Sequence, residues 1–419
     1  MTSIQRTLRA AILLAACTAF APWATAQNTP TTAPAESEKF PQEVPAPTRP
    51  PTDPLVSPDP LNFALDPWND FKNKLDRDAN LIILGAYTFH NQYATETNSS
   101  QHDEFGGRLD IGATWTPLHY GNNGKDIGQV VFLMRSSENI FQGQDYALSD
   151  DVGSIMGTNS LHGGGEQIPI SVNQLYWRQT FMDQKLAFSI GKLHPNNWID
   201  LSPIANDETQ QFMAGAYTGN ESNPGQGLWS PGVAGEFNID EHWYVHAVIA
   251  NSLGRTGTAG INNLDEGAFY EAAELGYKVG EPGGPQGNYR VTLWHNDNNL
   301  SDGYGGSVGF DQEIGGGWAP FGRFGHGESD ATAIRDFVSF GIANLRPFER
   351  RGDMFGIAGT YAHPSNNDLR EEWLFEAFYR IKITESLEFS PDIQWIHNPA
   401  FQPDADNVFV FGARLKFLF

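Results

Sequence analysis

Cysteine is almost absent. Cys17 is the single one in 419 residues and lies in an N-terminal stretch that reads as a targeting segment, so disulfide and thiol chemistry drop out of the mature chain. Beyond that segment no apolar run reaches the ~18 residues that a helical membrane span requires. Cations are scarce: Lys+Arg number 26 against Asp+Glu 50, a formal net charge of −24. That balance points away from nucleic acid as a partner. The acidity reads as solubility of exposed loops, because bulk charge has no position. Mean hydropathy is −0.40 and hydrophobic content 40%, values ordinary for a soluble protein. A membrane barrel averages the same way, since half of each strand faces water.

What the chain has is glycine, 44 residues, and aromatics, 12%. Both suit many strands and turns. The last stretch, Val408 to Phe419, alternates strictly. Phe409, Phe411, Ala413, Leu415, Phe417 and Phe419 fall on one face, and Arg414 and Lys416 on the other. A strand this apolar needs partner strands on both edges and an apolar medium outside. Between Glu371 and Ile383 the odd positions carry Trp373, Phe375, Tyr379 and Ile381, and the even ones Glu372, Glu376, Arg380 and Lys382. Leu387 to Trp395 repeats the pattern, with Glu388, Ser390, Asp392 and Gln394 on the polar side. Tyr and Trp near strand ends favour lipid over a soluble core as the apolar medium.

The expected fold is all-β, a transmembrane antiparallel β-barrel of about 16 strands over residues 80–419. The strand spans are 81–91, 107–116, 127–137, 172–181, 185–193, 232–239, 242–251, 268–279, 288–297, 304–313, 318–326, 335–345, 353–362, 371–383, 386–397 and 408–419. An even number returns both barrel ends to one side. Connections alternate between long (138–171, 194–231) and short (182–184, 240–241, 384–385), as in outer-membrane barrels. The connection 117–126 is too long for that rule.

Residues 1–26 read as a secretory signal, with Arg6 and Arg9, an apolar run and Ala24-Thr25-Ala26 before Gln27. Leu14-Ala15-Ala16-Cys17 is a competing lipobox reading, which would leave a lipidated Cys17. Residues 27–62 form a Pro-rich spacer. Residues 63–79 hold a short helix, in which Asp66 suits the cap and Pro67 the first helical position, with Trp68, Phe71 and Leu75 on one side. That side packs at the barrel mouth or forms a partial plug.

Several motifs carry no chemistry. Gly305-Gly306-Ser307-Val308-Gly309 matches a nucleophile elbow but lies within a strand with no helix following. The stretch from Asp297 lacks the Gly and Glu of a calcium loop. His242 and His246 stand ~13 Å apart on a strand, too far for one metal. No catalytic residue, metal ligand or cofactor is expected. If the apolar faces point outward, the lumen receives Arg108, Asp110, Gln174, Tyr176, Arg178, Glu274, Arg290, Glu372, Glu376, Arg380, Glu388, Asp392 and Gln394. Mixed charges with Tyr, Gln and Trp suit a neutral, hydroxyl-rich solute, whereas an anion pore would show mostly Lys and Arg. The bland alternative is that these charges pair and hydrate the wall. The connection 194–231, with Trp198, Asp200, Asp207, Glu208, Gln210, Phe212 and Trp229, either folds inward to narrow the pore or lies exposed.

Five segments resemble the carbohydrate-selective porin family of bacterial outer membranes, the OprB type. They are "GKLHPNNWID" from Gly191, "GYGGSVGFDQEI" from Gly303, "WAPFGRFG" from Trp318, "RRGDMFGIAG" from Arg350, and Glu371 to Pro399. In the last, Glu372, Glu376, Tyr379, Arg380, Ser390, Pro391, Asp392, Gln394, Asn398 and Pro399 match the family's final strands. The resemblance covers residues 63–419. It implies a sixteen-stranded barrel, passive passage of small sugars and a constriction of charged and aromatic residues. Partners would be outer-membrane lipids, sugars as permeants and, through an aromatic C-terminal signal at Phe419, the barrel assembly machinery. The oligomeric state is not readable. A barrel enzyme acting on lipids and a secreted all-β carbohydrate-binding protein are the competing classes.

Overall fold

The computed structural model describes residues 52–141, 146–161, 170–254, 257, 259–261, 264–280, 286–298 and 302–419. The signal, most of the Pro-rich spacer and part of the calcium-loop stretch lie outside them. Helix α1 spans Asn62–Ala79. Sixteen strands follow: β1 Leu81–Ala94, β2 Asp103–Tyr120, β3 Asp126–Asn139, β4 Ser171–Phe181, β5 Leu186–Leu193, β6 Ser230–Asn238, β7 Trp243–Asn251 and β8 Phe269–Val279, then β9 Gly287–Asp297, β10 Asp302–Gln312, β11 Trp318–Gly327, β12 Ile334–Asn344, β13 Met354–Pro364, β14 Glu372–Lys382, β15 Leu387–His397 and β16 Asn407–Leu418. Each pairs antiparallel with its sequence neighbours, and β16 closes on β1. A short helix α2, Leu148–Val152, lies between β3 and β4. Among the described residues no helix is long and apolar enough to cross a membrane.

The alternation in the sequence maps directly onto the wall. Phe409, Phe411 and Leu415 of β16 are exposed on the outer surface, while Val408, Val410, Arg414 and Lys416 are buried inside. The middle of the outer surface is aliphatic and aromatic, with Ile190, Leu275, Val291, Leu293, Val308, Phe324 and Ile357 all exposed. At the end with short turns it is bordered by Trp115, Trp243, Tyr289 and Trp318. At the end with long loops the border is Tyr93, Trp373 and Trp395. Two aromatic girdles around an apolar band are the signature of a barrel bathed in lipid.

Two strand irregularities matter. Strand β2 continues to Tyr120 across a bulge between Trp115 and Leu118, so the turn shortens to 121–125 and the exception of 117–126 disappears. Pro117, which has no amide to give a ladder, sits at that bulge. On β4 the register shifts opposite Leu133 and Met134. Asn173 and Gln174 are consequently both buried inside, and Val172 and Leu175 both exposed outside.

Helix α1 begins at Asn62, four residues before the expected cap, and Pro67 lies within it. Asp59 sets the start: its Oδ1 accepts the Leu61 amide at 2.9 Å and its carbonyl accepts the Asn62 amide at 3.1 Å. The helix packs beside β1 and β2 at the turn end. Trp68 and Leu75 are half-buried, but Phe71 is exposed.

Candidate solute pathway

The long connection between β5 and β6 does not lie outside. It folds into the barrel, where Ile199, Ile204, Phe212, Met213 and Tyr217 are buried. Two apolar clusters hold it. Phe212 and Tyr217 pack with Phe321, Phe378 and Leu374 of the wall, with Phe212 4.8 Å from Phe378 and 5.7 Å from Phe321. Trp198 and Ile199 pack with Tyr176, Tyr270 and Trp294. Burying each such side chain contributes about 1.5–3 kcal/mol.

A buried loop must also find partners for its backbone, and the wall side chains supply them. Glu376 accepts the Met213 amide and, at 3.0 Å, that of Ala214. Glu274 accepts the Asp200 amide at 2.7 Å and the Thr292 hydroxyl at 2.8 Å. Arg414 donates to the carbonyls of Glu208 and Gln211. Arg323 donates to the Ala205 carbonyl at 2.6 Å and the Tyr217 carbonyl at 3.2 Å. Lys416 donates to Thr209 at 2.6 Å. Asp200 adopts a left-handed φ of 61°, a conformation that costs about 1–3 kcal/mol unless the surroundings impose it. Here Arg290, 3.0 Å away, and Arg323, 2.8 Å away, clamp its carboxylate.

The expected lumen residues are thus all inside, in two groups. Glu274, Arg290 and Glu376 contact the loop from the wall and Trp198 belongs to the loop itself; Asp392 accepts from Gln394 at 3.2 Å beside them. Tyr176 meets Trp198 at 5.6 Å. Glu372 accepts the amides of Ile155 at 3.0 Å and Ala400 at 2.8 Å, tying two loop-end connections together. Arg108, Asp110, Arg178 and Arg380 make ion pairs and hydrogen bonds inside the barrel. Arg108 donates to Asp110 at 2.9 Å and crosses to Glu208 of the loop. Arg135 donates to the same Asp110 at 2.8 Å. Arg178 grips Glu236 through two bonds of 3.1 and 3.0 Å. Arg380 donates to Gln210 at 3.3 Å.

Above this line of charges lies a cavity of about 660 Å³ that opens toward the loop end. Arg135, Glu208, Asn196, Asn206, Gln226 and Trp229 contribute to its walls. Trp229 stacks on His194, with ring centroids 4.2 Å apart and planes 9° apart, and the Arg135 guanidinium lies 4.9 Å from its centroid. Within the loop, burial opposes ionisation of Asp207, but Lys416, Thr209 and Gln210 hold its carboxyl down to about 2. Burial pushes the Glu221 carboxyl up to about 7, against the pull of Arg323.

Arg323 and Arg135 escaped the sequence reading for physical reasons. On β11 the inward face carries Phe321 beside Arg323, because that wall packs the loop, so an outward-apolar rule cannot separate the faces. On β3 both faces are apolar through "VVFLM", which hides the phase of Arg135. His246 donates from Nδ1 to the Trp198 carbonyl at 2.9 Å, and among the described residues no cluster of His, Cys, Asp and Glu is arranged to hold a metal.

A closed sixteen-stranded barrel with lipid outside, charges inside and a loop across its interior defines the class: a porin of the outer membrane. Residues 134–304 and 296–419 match the family model described as "Carbohydrate-selective porin, OprB family", and the chain belongs to that family. Porin AaxA of Chlamydia felis is 24% identical over 262 residues, covering 59% of this chain and 57% of that protein. The uncharacterized protein alr4550 of Nostoc sp. PCC 7120 is 29% identical over 101 residues, 22% of this chain and 18% of that protein. The chain therefore spans well under two thirds of the curated relatives it matches. The high-pH structure of Pseudomonas putida OprB superposes with a TM-score of 0.67 at 15% identity, over 84% of this chain and 97% of that one. That likeness shows the fold.

Proposed function

We propose that this porin conducts small, uncharged carbohydrates passively into the periplasm, with no energy coupling and no covalent chemistry. The observation that carries the reading is a set of paired charges inside the barrel, where Arg108, Asp110 and Arg135 on the wall meet Glu208 on the loop. Charges paired in this way polarise water and hydroxyls without offering an anion an uncompensated cation. Of the eleven wall and loop residues expected to line the pore, Arg108, Asp110, Arg178 and Arg380 are assigned to solute contact. Tyr176, Trp198, Glu274, Arg290, Glu372, Glu376 and Asp392 are assigned to holding the loops that shape the pore.

The test is swelling of liposomes that contain the purified barrel, with a panel of sugars and organic acids. Neutral sugars should enter faster than organic acids of equal size. Equal rates, or no swelling with any sugar, would sink the reading. A lipid-cleaving barrel is the rival class, and hydrolysis of phospholipid by the same preparation would favour it. Phe419 is assigned to recognition by the assembly machinery, its amide and carbonyl pairing with Gly85 at 3.0 and 3.2 Å. Normal membrane insertion of a chain without Phe419 would remove that assignment.

A further inference from the structure

Water is the expected surrounding of the turn end, because short turns project into the periplasm. Several residues there do not suit water. Phe348 in the β12–β13 turn is 86% exposed with a left-handed φ of 56°, and Met182 in the β4–β5 turn is exposed with φ 59°. Bulky side chains seldom adopt that conformation, and it persists where the surroundings select it. Ile239 and Ile314 are exposed beside the girdle, their amides donating to the carbonyls of Trp243 and Trp318, both at 2.9 Å. Leu55 and Val56 are exposed on the segment that precedes α1. These residues belong to four separate hairpins and to the N-terminal segment, so they form a ring and not a patch. A protein partner covers a patch. A ring suits something that surrounds the barrel, and at the girdle that is lipid.

Helix α1 continues the ring. It leaves the wall at girdle level, where the Asn80 carbonyl accepts the Thr116 amide at 2.9 Å and Leu81 lies in register with the girdle residue Trp115. None of its 18 residues is buried. At 3.6 residues per turn its surface divides into three sides. Asn62, Leu65, Asn69 and Lys72 face β1, where with Ile83 and Phe419 they line a cavity of about 390 Å³. Asp66, Asp70 and Arg77 make a polar side. Ala64, Pro67 and Phe71, with Phe63 at their margin, make an apolar one, and all four are exposed, Phe63 by 82%. A helix bordered by barrel and water alone has no use for a third, apolar side. One placed where barrel, water and lipid meet requires it.

We infer that α1 is an interfacial helix whose Ala64, Pro67 and Phe71 side lies in the periplasmic leaflet of the outer membrane. Its partner is the phospholipid surface, which the exposed apolar residues of the turns meet around the rest of the rim. The inference is independent of the solute that the pore conducts.

Site-directed fluorescence tests it. Cys17 leaves no free thiol on the mature chain, whether the targeting segment is cut after Ala26 or Cys17 is lipidated, so one introduced cysteine can be labelled alone. Bimane is attached at Ala64→Cys or Phe71→Cys, and at Asp66→Cys or Arg77→Cys on the polar side. The porin is placed in phosphatidylethanolamine/phosphatidylglycerol vesicles that contain a lipid with a nitroxide near its headgroup. Quenching at 64 and 71 should exceed that at 66 and 77 about twofold or more. Equal quenching at all four positions, or none, overturns the inference. A label at 71 shielded from iodide yet not reached by the nitroxide lipid would place protein against this side, and also overturns it. Heat-modifiable migration on gels shows that each labelled barrel has assembled. Where one has not, Ala64→Asp carries the test. In water an acidic residue in the first turn favours a helix; against lipid it should raise hydrogen exchange of the α1 amides about tenfold while the strands stay unchanged. Slower or unchanged exchange in α1 overturns the inference.

Discussion

Single carboxylates decide where the inner loop sits. Glu376 faces the lumen from β14, and its two oxygens take the amides of Met213 and Ala214. Replacing it by alanine strands two buried N–H groups, each costing about 1–3 kcal/mol. The expected outcome for Glu376→Ala is a loop that leaves the wall, seen as larger and noisier single-channel currents. Glu376→Gln keeps one acceptor oxygen and should give an intermediate current. Wild-type currents from the alanine variant would show that the apolar contacts of Phe212 hold the loop alone. Glu376 was legible as a lumen residue, because its phase on β14 is unambiguous. Its task was not: nothing in "EEWLFEAFYRIK" says that the partner is a backbone more than 150 residues away. The same holds for Arg290, whose ion pair with Asp200 joins positions 90 residues apart.

Elements were more legible than contacts, since a strand announces itself by its own period. All sixteen strands lie where alternation and turn residues put them, and the two misreadings arose where period 2 breaks. One was the bulge at Pro117, which made a short turn look long. The other was the start of α1, which follows a turn at Asp59 outside the expected window and has Leu61 at its cap. The segment before α1 also ties the turn end together. The Asp53 amide donates to the Arg351 carbonyl at 2.8 Å, those of Leu55 and Val56 to Lys382 and Ile383, and Asp59 accepts from Ser386. The Arg351 side chain, followed by its amide, holds Asp53 down to about 2. Burial works against ionisation of Asp59, yet Ser386, Thr384 and the Leu61 amide hold it at about 2 as well. Both folded values lie below the ordinary 3.8. Their contribution is therefore complete above about pH 4 and is lost as pH falls through about 2. Hydrogen exchange should find the amides of Leu55 and Val56 protected at pH 5 and open near pH 2. In Asp53→Asn/Asp59→Asn they should be open at both, and equal protection of wild type and variant would refute the link.

At the scale of the molecule, two structures share one chain. The barrel is closed by its own ladder, which satisfies the backbone around the full circuit. The inner loop is a separate plug of apolar and ionic contacts laid against the inside of that wall. Because β5 pairs directly with β6, the ladder does not depend on what the loop does between them. Replacing residues 205–216 by a short glycine linker should therefore leave a folded, heat-modifiable barrel on denaturing gels. It removes Phe212, Met213, the Ala205 carbonyl that Arg323 reaches and the Glu208 and Gln211 carbonyls that Arg414 reaches, so melting temperature should drop. Single-channel conductance should rise several-fold, and block by sugar should vanish along with the paired charges at Glu208. A shortened chain that cannot fold would mean that the loop is needed to bring β5 and β6 into register. A folded one with unchanged conductance would place the narrowest point elsewhere, at the loop-end connections that Glu372 gathers.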